Sequence, residues 1–438
     1  MSAKVGPTRG TGLEDVESSA QRPVRRRWSW KKRMLLAVAI ATPLLIMTLW
    51  ILVHRIPWMG PLVANTLRSV VGVDNVAKLE DFVYSIEDRI NRQVRSDQAP
   101  KAYWTVPASP SSATSLSAPA GDVPGDLGSP PPTARDVPFS PVFEPRGPGP
   151  MFPALAAPGD GLWLPLPDPR RPEEAPRLFK TLLHPDKSRA WAELFVVAVD
   201  LRSVEVILMA GYQEPRTEKK DAEGYARRAK IPEEHWGALL AAFNGGFMAE
   251  HGHYGFALDG IQFIDPKPES CTLAHFDDGS YAVAPWERLA DRQKGMSWFR
   301  QAPSCMFFEG EMHPSLKGTH QRKWGATLDG NTVIRRSAIG MSADGQILYV
   351  GITNHTTAKV LALGMHHVGA AHVAQMDVNW SYPKFVTYEP DRHGVLKPIP
   401  LASGFEFSED LYLRERSMRD FFYLARKEEV AKPPLAPQ

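Results

Sequence analysis

Half of the 40 prolines in this 438-residue chain fall between Pro100 and Pro176. Proline fixes φ and has no backbone N–H to donate, so a run this dense, mixed with Ala, Ser and Gly, builds neither helix nor sheet interior. Residues 98–176 therefore read as an extended, disordered linker whose work is reach. Within it, Leu162-Trp163-Leu164 is a short apolar patch suited to docking on whatever follows. Folding is left to the segments on either side.

On the N-terminal side, the residues from Arg22 to Arg33 read R-P-V-R-R-R-W-S-W-K-K-R, and the next twenty, Met34 to Val53, carry no charge. At about 1.5 Å per residue a helix of that length matches roughly 30 Å of hydrocarbon. The run is longer than the apolar part of a cleaved signal peptide. The cationic excess before it orients residues 1–33 as a cytoplasmic basic tail and 34–53 as a single transmembrane helix. A bacterial inner membrane, with the N-terminus cytoplasmic and the C-terminal domain periplasmic, is the simplest setting. In the juxtamembrane segment 54–97, Val76, Leu79, Phe82, Val83, Ile86 and Ile90 recur at helical spacing. That amphipathic stretch suits a membrane surface or a homodimer through 75–95, although it lacks three or four sustained heptads.

A formal net charge of +2, with no long basic face beyond the N-terminus, gives no ground for a nucleic-acid partner. Cys271 and Cys305 are the two cysteines. One disulfide and two separate buried thiols fit them equally well. With neither C-x-x-C spacing nor a Cys/His cluster, no metal ligand set is assigned, and a divalent cation is left open.

Residues 177–427 carry the patterns of a folded α+β domain: a mixed β-sheet with hairpins and a few helices. Apolar β-rich runs at 194–199 and 204–210 suggest a hairpin, and Pro232-Glu233-Glu234 opens a helix to about Leu240. A short strand then leads into Asn244-Gly245-Gly246-Phe247, where two glycines permit φ > 0 and close approach of backbone to a ligand. Asp-Gly and Glu-Gly turns mark hairpins at 256–264, 271–283, 306–313 and 325–334. A further hairpin turns at Ala343-Asp344-Gly345. Thr356 or Thr357 caps a helix to about His367, which Gly369 ends. The strand 372–378 then delivers Asp377, Asn379 and Ser381 at its C-terminal end, where ligands gather in sheets with helical crossovers. Phe405, Phe407 and Leu411 suggest a last strand, and 428–438 a disordered tail.

Three of these elements resemble the phosphodiester glycosidase family. Asn244-Gly245-Gly246-Phe247-Met248 is similar to that family's N-G-G-F-F, and Arg336-Ser337-Ala338-Ile339-Gly340 to its R-T-A-I-G. Asp377 stands at the place of its D-G-G-G-S. The resemblance covers about 190–385 and implies an α+β domain that cleaves a sugar linked through a phosphodiester or related glycosidic bond. Val378-Asn379-Trp380 replace the three glycines before Ser381, and Thr353-Asn354-His355 stands where many relatives carry D-G-R.

Glycosidic cleavage needs groups that give and take protons, or one that attacks the anomeric carbon. Asp377 is the candidate acid or base, Arg336 the fork for a phosphate, and His355 a proton donor. Asn244 with the Gly245 and Gly246 amides, and Asn379, Trp380 and Ser381, are candidates for binding substrate, Trp380 by stacking on a sugar ring. The bland alternatives are a strand-end aspartate, a cross-hairpin ion pair and an ordinary Asn-Gly-Gly turn. Two readings follow. One is a membrane-anchored extracytoplasmic hydrolase of a sugar phosphodiester or glycosidic bond in envelope or extracellular glycans. The other is a catalytically inactive glycan-binding or envelope-interaction module on the same fold. The hydrolase reading requires Asn244, Arg336 and Asp377 to converge on one open cleft.

Overall fold

A computed structural model describes residues 6, 29–55, 71–106, 143–318, 324, 330–405 and 407–430. The chain divides into two units, residues 1–72 and 73–438. In the first, Trp30–Arg55 is a 26-residue helix, so the uncharged run is helical as its composition suggests. Among the described residues no helix is long and apolar enough to cross a membrane, and the expectation of a transmembrane span is without structural support. Most of the basic run before it lies outside the described residues.

The second unit is built on three antiparallel sheets with few helices, which bears out the sheet-rich α+β expectation at that level. The largest has eight strands, in the order Leu164–Pro165, Leu178–Leu183, Leu194–Asp200, Ile347–Thr353, Arg336–Met341, His372–Val378, Phe307–Phe308 and Glu311–Met312. A five-stranded sheet runs Ile261–Ile264, Phe256–Leu258, Met296–Ala302, Cys271–Phe276 and Tyr281–Pro285. Another runs Leu396–Pro400, Phe385–Pro390, Leu239–Asn244, Phe421–Arg426 and Val204–Met209.

Leu194–Asp200 explains why the large sheet sits at the centre. Its sequence, Leu-Phe-Val-Val-Ala-Val-Asp, does not alternate, because both faces are buried. Leu194, Val196 and Ala198 pack with Leu361 and Met365 of the Ala358–His367 helix. Phe195, Val197 and Val199 join a second core shared with the two smaller sheets. The helix begins where Thr357 accepts a hydrogen bond from the Val360 amide, and the chain leaves it through Gly369 at φ +109°. Cys271 and Cys305 form a disulfide that ties a small-sheet strand to the approach of Phe307–Phe308.

Several expectations are corrected. The runs at 194–199 and 204–210 do not pair with one another. A strand buried on both faces takes two neighbours, and Leu194–Asp200 takes Leu178–Leu183 and Ile347–Thr353. Asp200 accepts from the backbone of Arg202 and Ser203, and that turn hands the chain to the edge of another sheet. The helix expected to about Leu240 is one 3-10 turn, Glu233–His235, because Leu239–Asn244 is wholly buried and paired on both sides. The last strand is Phe421–Arg426, not the segment at Phe405, Phe407 and Leu411.

The linker also ends sooner at both sides. Tyr103 and Trp104 pack edge-on against Phe195, Trp163 lies over Tyr349, and Phe143 meets Phe179. Aromatic residues supply the anchors that the prolines between them do not. Residues 107–142 lie outside the described residues, as do 325–329 of the 325–334 hairpin. At the other end, Glu428 and Glu429 pair with Arg177 and Arg171, so order continues into the expected tail.

Candidate functional site

The large sheet divides the expected site residues between its two faces. Opposite Arg336 stands Val378, yet opposite Ala338 stands Gln375, so the strand ending at Val378 carries one extra residue there. Such a bulge re-aims the side chains around it. Ser337 fills the bend: its Oγ accepts from the Asp377 amide at 3.1 Å and from Asn244 Nδ2 at 2.8 Å, and donates to the Asp377 carbonyl at 3.3 Å. Asn244 Nδ2 also donates to the Gly245 carbonyl, while its Oδ1 accepts from the Lys384 amide at 3.0 Å. Asn244 thus clamps the end of its own sheet to the end of the large one.

Asp377 lies beside it, 2% exposed. Arg419 forks onto it, Nη2 to Oδ1 at 3.0 Å and Nη1 to Oδ2 at 3.2 Å, and also donates to the Gly246 carbonyl at 2.7 Å. The guanidinium lies 3.6 Å over the Tyr382 ring, and the Tyr382 hydroxyl donates to the Asp420 carbonyl. The Asp420 carboxylate accepts from the Gly246 amide at 3.1 Å and from Arg300 Nε at 2.9 Å. Two carboxylates and two guanidiniums therefore make a buried, charge-balanced network in which the oxygens of both acids are bonded. Burial pushes the Asp377 carboxyl above the usual range, against the downward pull of Arg419. For Arg419 burial works downward, but Asp377 and Tyr382 raise it on balance.

The two glycines serve this network. Neither has φ > 0, contrary to the expectation from Asn-Gly-Gly. A Cβ at Gly245 would stand 2.3 Å from the Asp420 carbonyl oxygen, and one at Gly246 would stand 2.8 Å from the Arg300 guanidinium carbon. The close approach is to the chain itself.

Arg336 does not join this cluster. Alternation along its strand points Ser337 and Ile339 to one face and Arg336 and Ala338 to the other, where Ala338 packs under the Ala358–His367 helix. There the fully buried guanidinium donates to the carbonyls of Trp324, Thr332 and Thr356 and to Gln375 Oε1 at 2.8–3.2 Å. It staples loops together. His355 stands elsewhere again, past the Ile347–Thr353 strand. Burial, with Arg95 and Arg335 near it, lowers its pKa to about 4, so it is neutral at pH 7. No hydrogen bond among the described residues links it to Asp377. Asn379, Trp380 and Ser381 are half-buried just beyond the strand. Asn379 Oδ1 accepts from the Ser381 amide and hydroxyl at 3.0 and 3.1 Å, and the Trp380 carbonyl accepts from Arg335.

Sequence reasoning missed Arg300, Arg419 and Asp420. A usable signal was present: Arg300 interrupts the apolar strand Met296–Ala302, and Arg419-Asp420 directly precedes the apolar Phe421–Arg426. A charge on a strand buried in the core demands a partner. Among the described residues no group of three or more His, Cys, Asp or Glu is placed to hold a metal ion.

No family model and no curated protein matches the chain. Among solved structures it has a weak, fold-level likeness to the auto-inhibited catalytic domain of zebrafish N-acetylglucosamine-1-phosphodiester alpha-N-acetylglucosaminidase, at 15% identity and TM-score 0.37, over 58% of this chain and 85% of that one. It is also similar to a protein described as exported from Burkholderia pseudomallei, at 10% identity and TM-score 0.24, over 53% of this chain and 74% of the other.

Proposed function

We propose that this domain recognises a glycan at the Asn379–Ser381 turn and does not hydrolyse it. The observation that carries this reading is the closed network beneath the turn. The carboxylate oxygens of Asp377 are held by Arg419 and those of Asp420 by Arg300, so neither acid is turned towards an open face where a substrate could meet it. Arg336, which the hydrolase reading requires in one cleft with Asn244 and Asp377, points to the other face of its strand, and among the described residues no hydrogen bond joins the candidate proton donor His355 to Asp377. The network holds the strand end rigid, and a rigid platform lowers the ordering cost of binding. The half-buried Trp380 offers a ring for a sugar face, with Asn379 and Ser381 as hydrogen-bonding groups beside it. The disulfide supports an extracytoplasmic setting, since such bonds persist in oxidising compartments.

One observation favours hydrolysis of a sugar phosphodiester or glycosidic bond. Asp377 has its pKa raised by burial, as a general acid requires, and Arg419 beside it is a cation suited to a phosphate. Glycan-array binding by the full chain, repeated with Trp380→Ala, tests the recognition reading. Affinity should fall about five- to thirtyfold, the loss of one stacking contact of roughly 1–2 kcal/mol. Retention of full affinity by a folded Trp380→Ala protein would remove the turn from the binding site.

A further inference from the structure

Past the Val73–Val94 helix the chain crosses its domain as a strap. The helix end is fixed by Asp88, which accepts from Arg189 Nε and Nη2 at 2.6 and 2.7 Å. Among the described residues, however, no backbone–backbone hydrogen bond holds residues 99–106. Side chains seat them instead. The Tyr103 ring stands edge-on to Phe195 at 4.8 Å, and Trp104 meets the same ring at 6.0 Å. The Tyr103 hydroxyl donates to Glu193 Oε2 at 2.7 Å. Lys101, Ala102 and Thr105 around these contacts are exposed. A segment without ladder bonds and with few anchors belongs to the low-stability end of local opening.

The floor beneath Tyr103 and Trp104 has the composition of a sugar site. Phe195 and Phe405 lie edge-on to one another at 5.8 Å. Beside them Asn354 fixes Glu193, donating through Nδ2 to its carboxylate and accepting through Oδ1 from its amide at 2.8 Å. Aromatic rings offer apolar surface to a sugar face, and an ionised carboxylate accepts from hydroxyls. The floor also borders the Asn379–Ser381 turn. Arg335 lies 5.0 Å over the Phe405 ring, and its Nη1 donates to the Trp380 carbonyl at 2.6 Å. Building on the reading of that turn as a glycan platform, we propose that this cleft is a second sugar subsite, filled in the resting chain by Tyr103 and Trp104. A neutral oligosaccharide extending from the turn displaces them. The Tyr103 hydroxyl stands where a sugar hydroxyl would donate to Glu193. The same carboxylate repels an acidic sugar, which sets the class of ligand.

Chymotrypsin digestion of the full chain with chito-, cello- and malto-oligosaccharide ladders tests displacement, since the protease takes an aromatic ring only after it leaves its cleft. An oligosaccharide that binds should speed cleavage after Tyr103 and Trp104 several-fold, and its monosaccharide should not. Affinity for the longer members alone should be several-fold higher in Tyr103→Ala/Trp104→Ala than in the native chain. Adding Glu193→Gln to that variant should reduce the gain. Binding of the longer members to the native chain with cleavage unchanged would overturn the subsite and leave recognition at the turn standing. A gain in the strap variant that Trp380→Ala does not diminish would keep the subsite and remove the turn. Absence of binding by the native chain and the strap variant alike would overturn both.

Discussion

Gly245 shows how a residue can be correctly singled out and wrongly explained. Asn-Gly-Gly-Phe reads as a ligand loop, but Gly245 is small because the Asp420 backbone crosses it at 2.3 Å from where a Cβ would sit. Gly245→Ala should therefore destabilise the domain by about 2 kcal/mol or more, since the obstacle is backbone that cannot turn aside. Urea unfolding checks this, and an unchanged midpoint would mean the strand end can shift. Arg336 was legible as an important arginine, and its partners were not, because alternation alone does not say which face carries the site. Arg336→Ala should leave buried carbonyls of Trp324, Thr332 and Thr356 without donors, at a loss of about 3 kcal/mol or more in stability. Glycan affinity of whatever remains folded should be unchanged.

At the scale of elements, the sequence was most informative where turn chemistry and caps are local. The hairpin turning at Gly345, the helix capped by Thr357 and the strand ending at Val378 all stand within a residue or two of their expected bounds. It was least informative where sheets exchange strands. Val204–Met209 and Leu239–Asn244 lie in one sheet through Phe421–Arg426, a strand from almost two hundred residues further on. No local pattern carries such a partner. The disulfide belongs to this scale too, joining elements 34 residues apart. Replacing Cys271 and Cys305 together by Ser should lower stability by about 4 kcal/mol on the chain-entropy estimate for a loop of that length. Calorimetry of the oxidised and reduced forms reads the difference directly, and equal unfolding temperatures would contradict it.

For the whole molecule, pH acts through histidines buried without charge. His355 and His275 are both lowered by burial to about 4, against an ordinary value near 6.5. The unfolded chain binds these protons first, so their contribution is complete above about 6.5 and is lost as pH falls towards about 4. Asp377, raised by burial, works in the opposite sense, its folded form favouring the proton. Stability should fall between pH 6.5 and 4, and His355→Gln should flatten that slope. A slope unchanged by the substitution would show that His355 is charged in the folded chain. The measurement that bears most directly on glycan recognition without turnover is product release from a panel of sugar-1-phosphate diesters and aryl glycosides. The full chain would be assayed beside Asp377→Asn, with folding of each confirmed. The recognition reading expects binding with no turnover by either protein, because the Asp377 carboxylate is held by Arg419. Turnover by the native chain that Asp377→Asn abolishes would contradict it and make the network a catalytic centre.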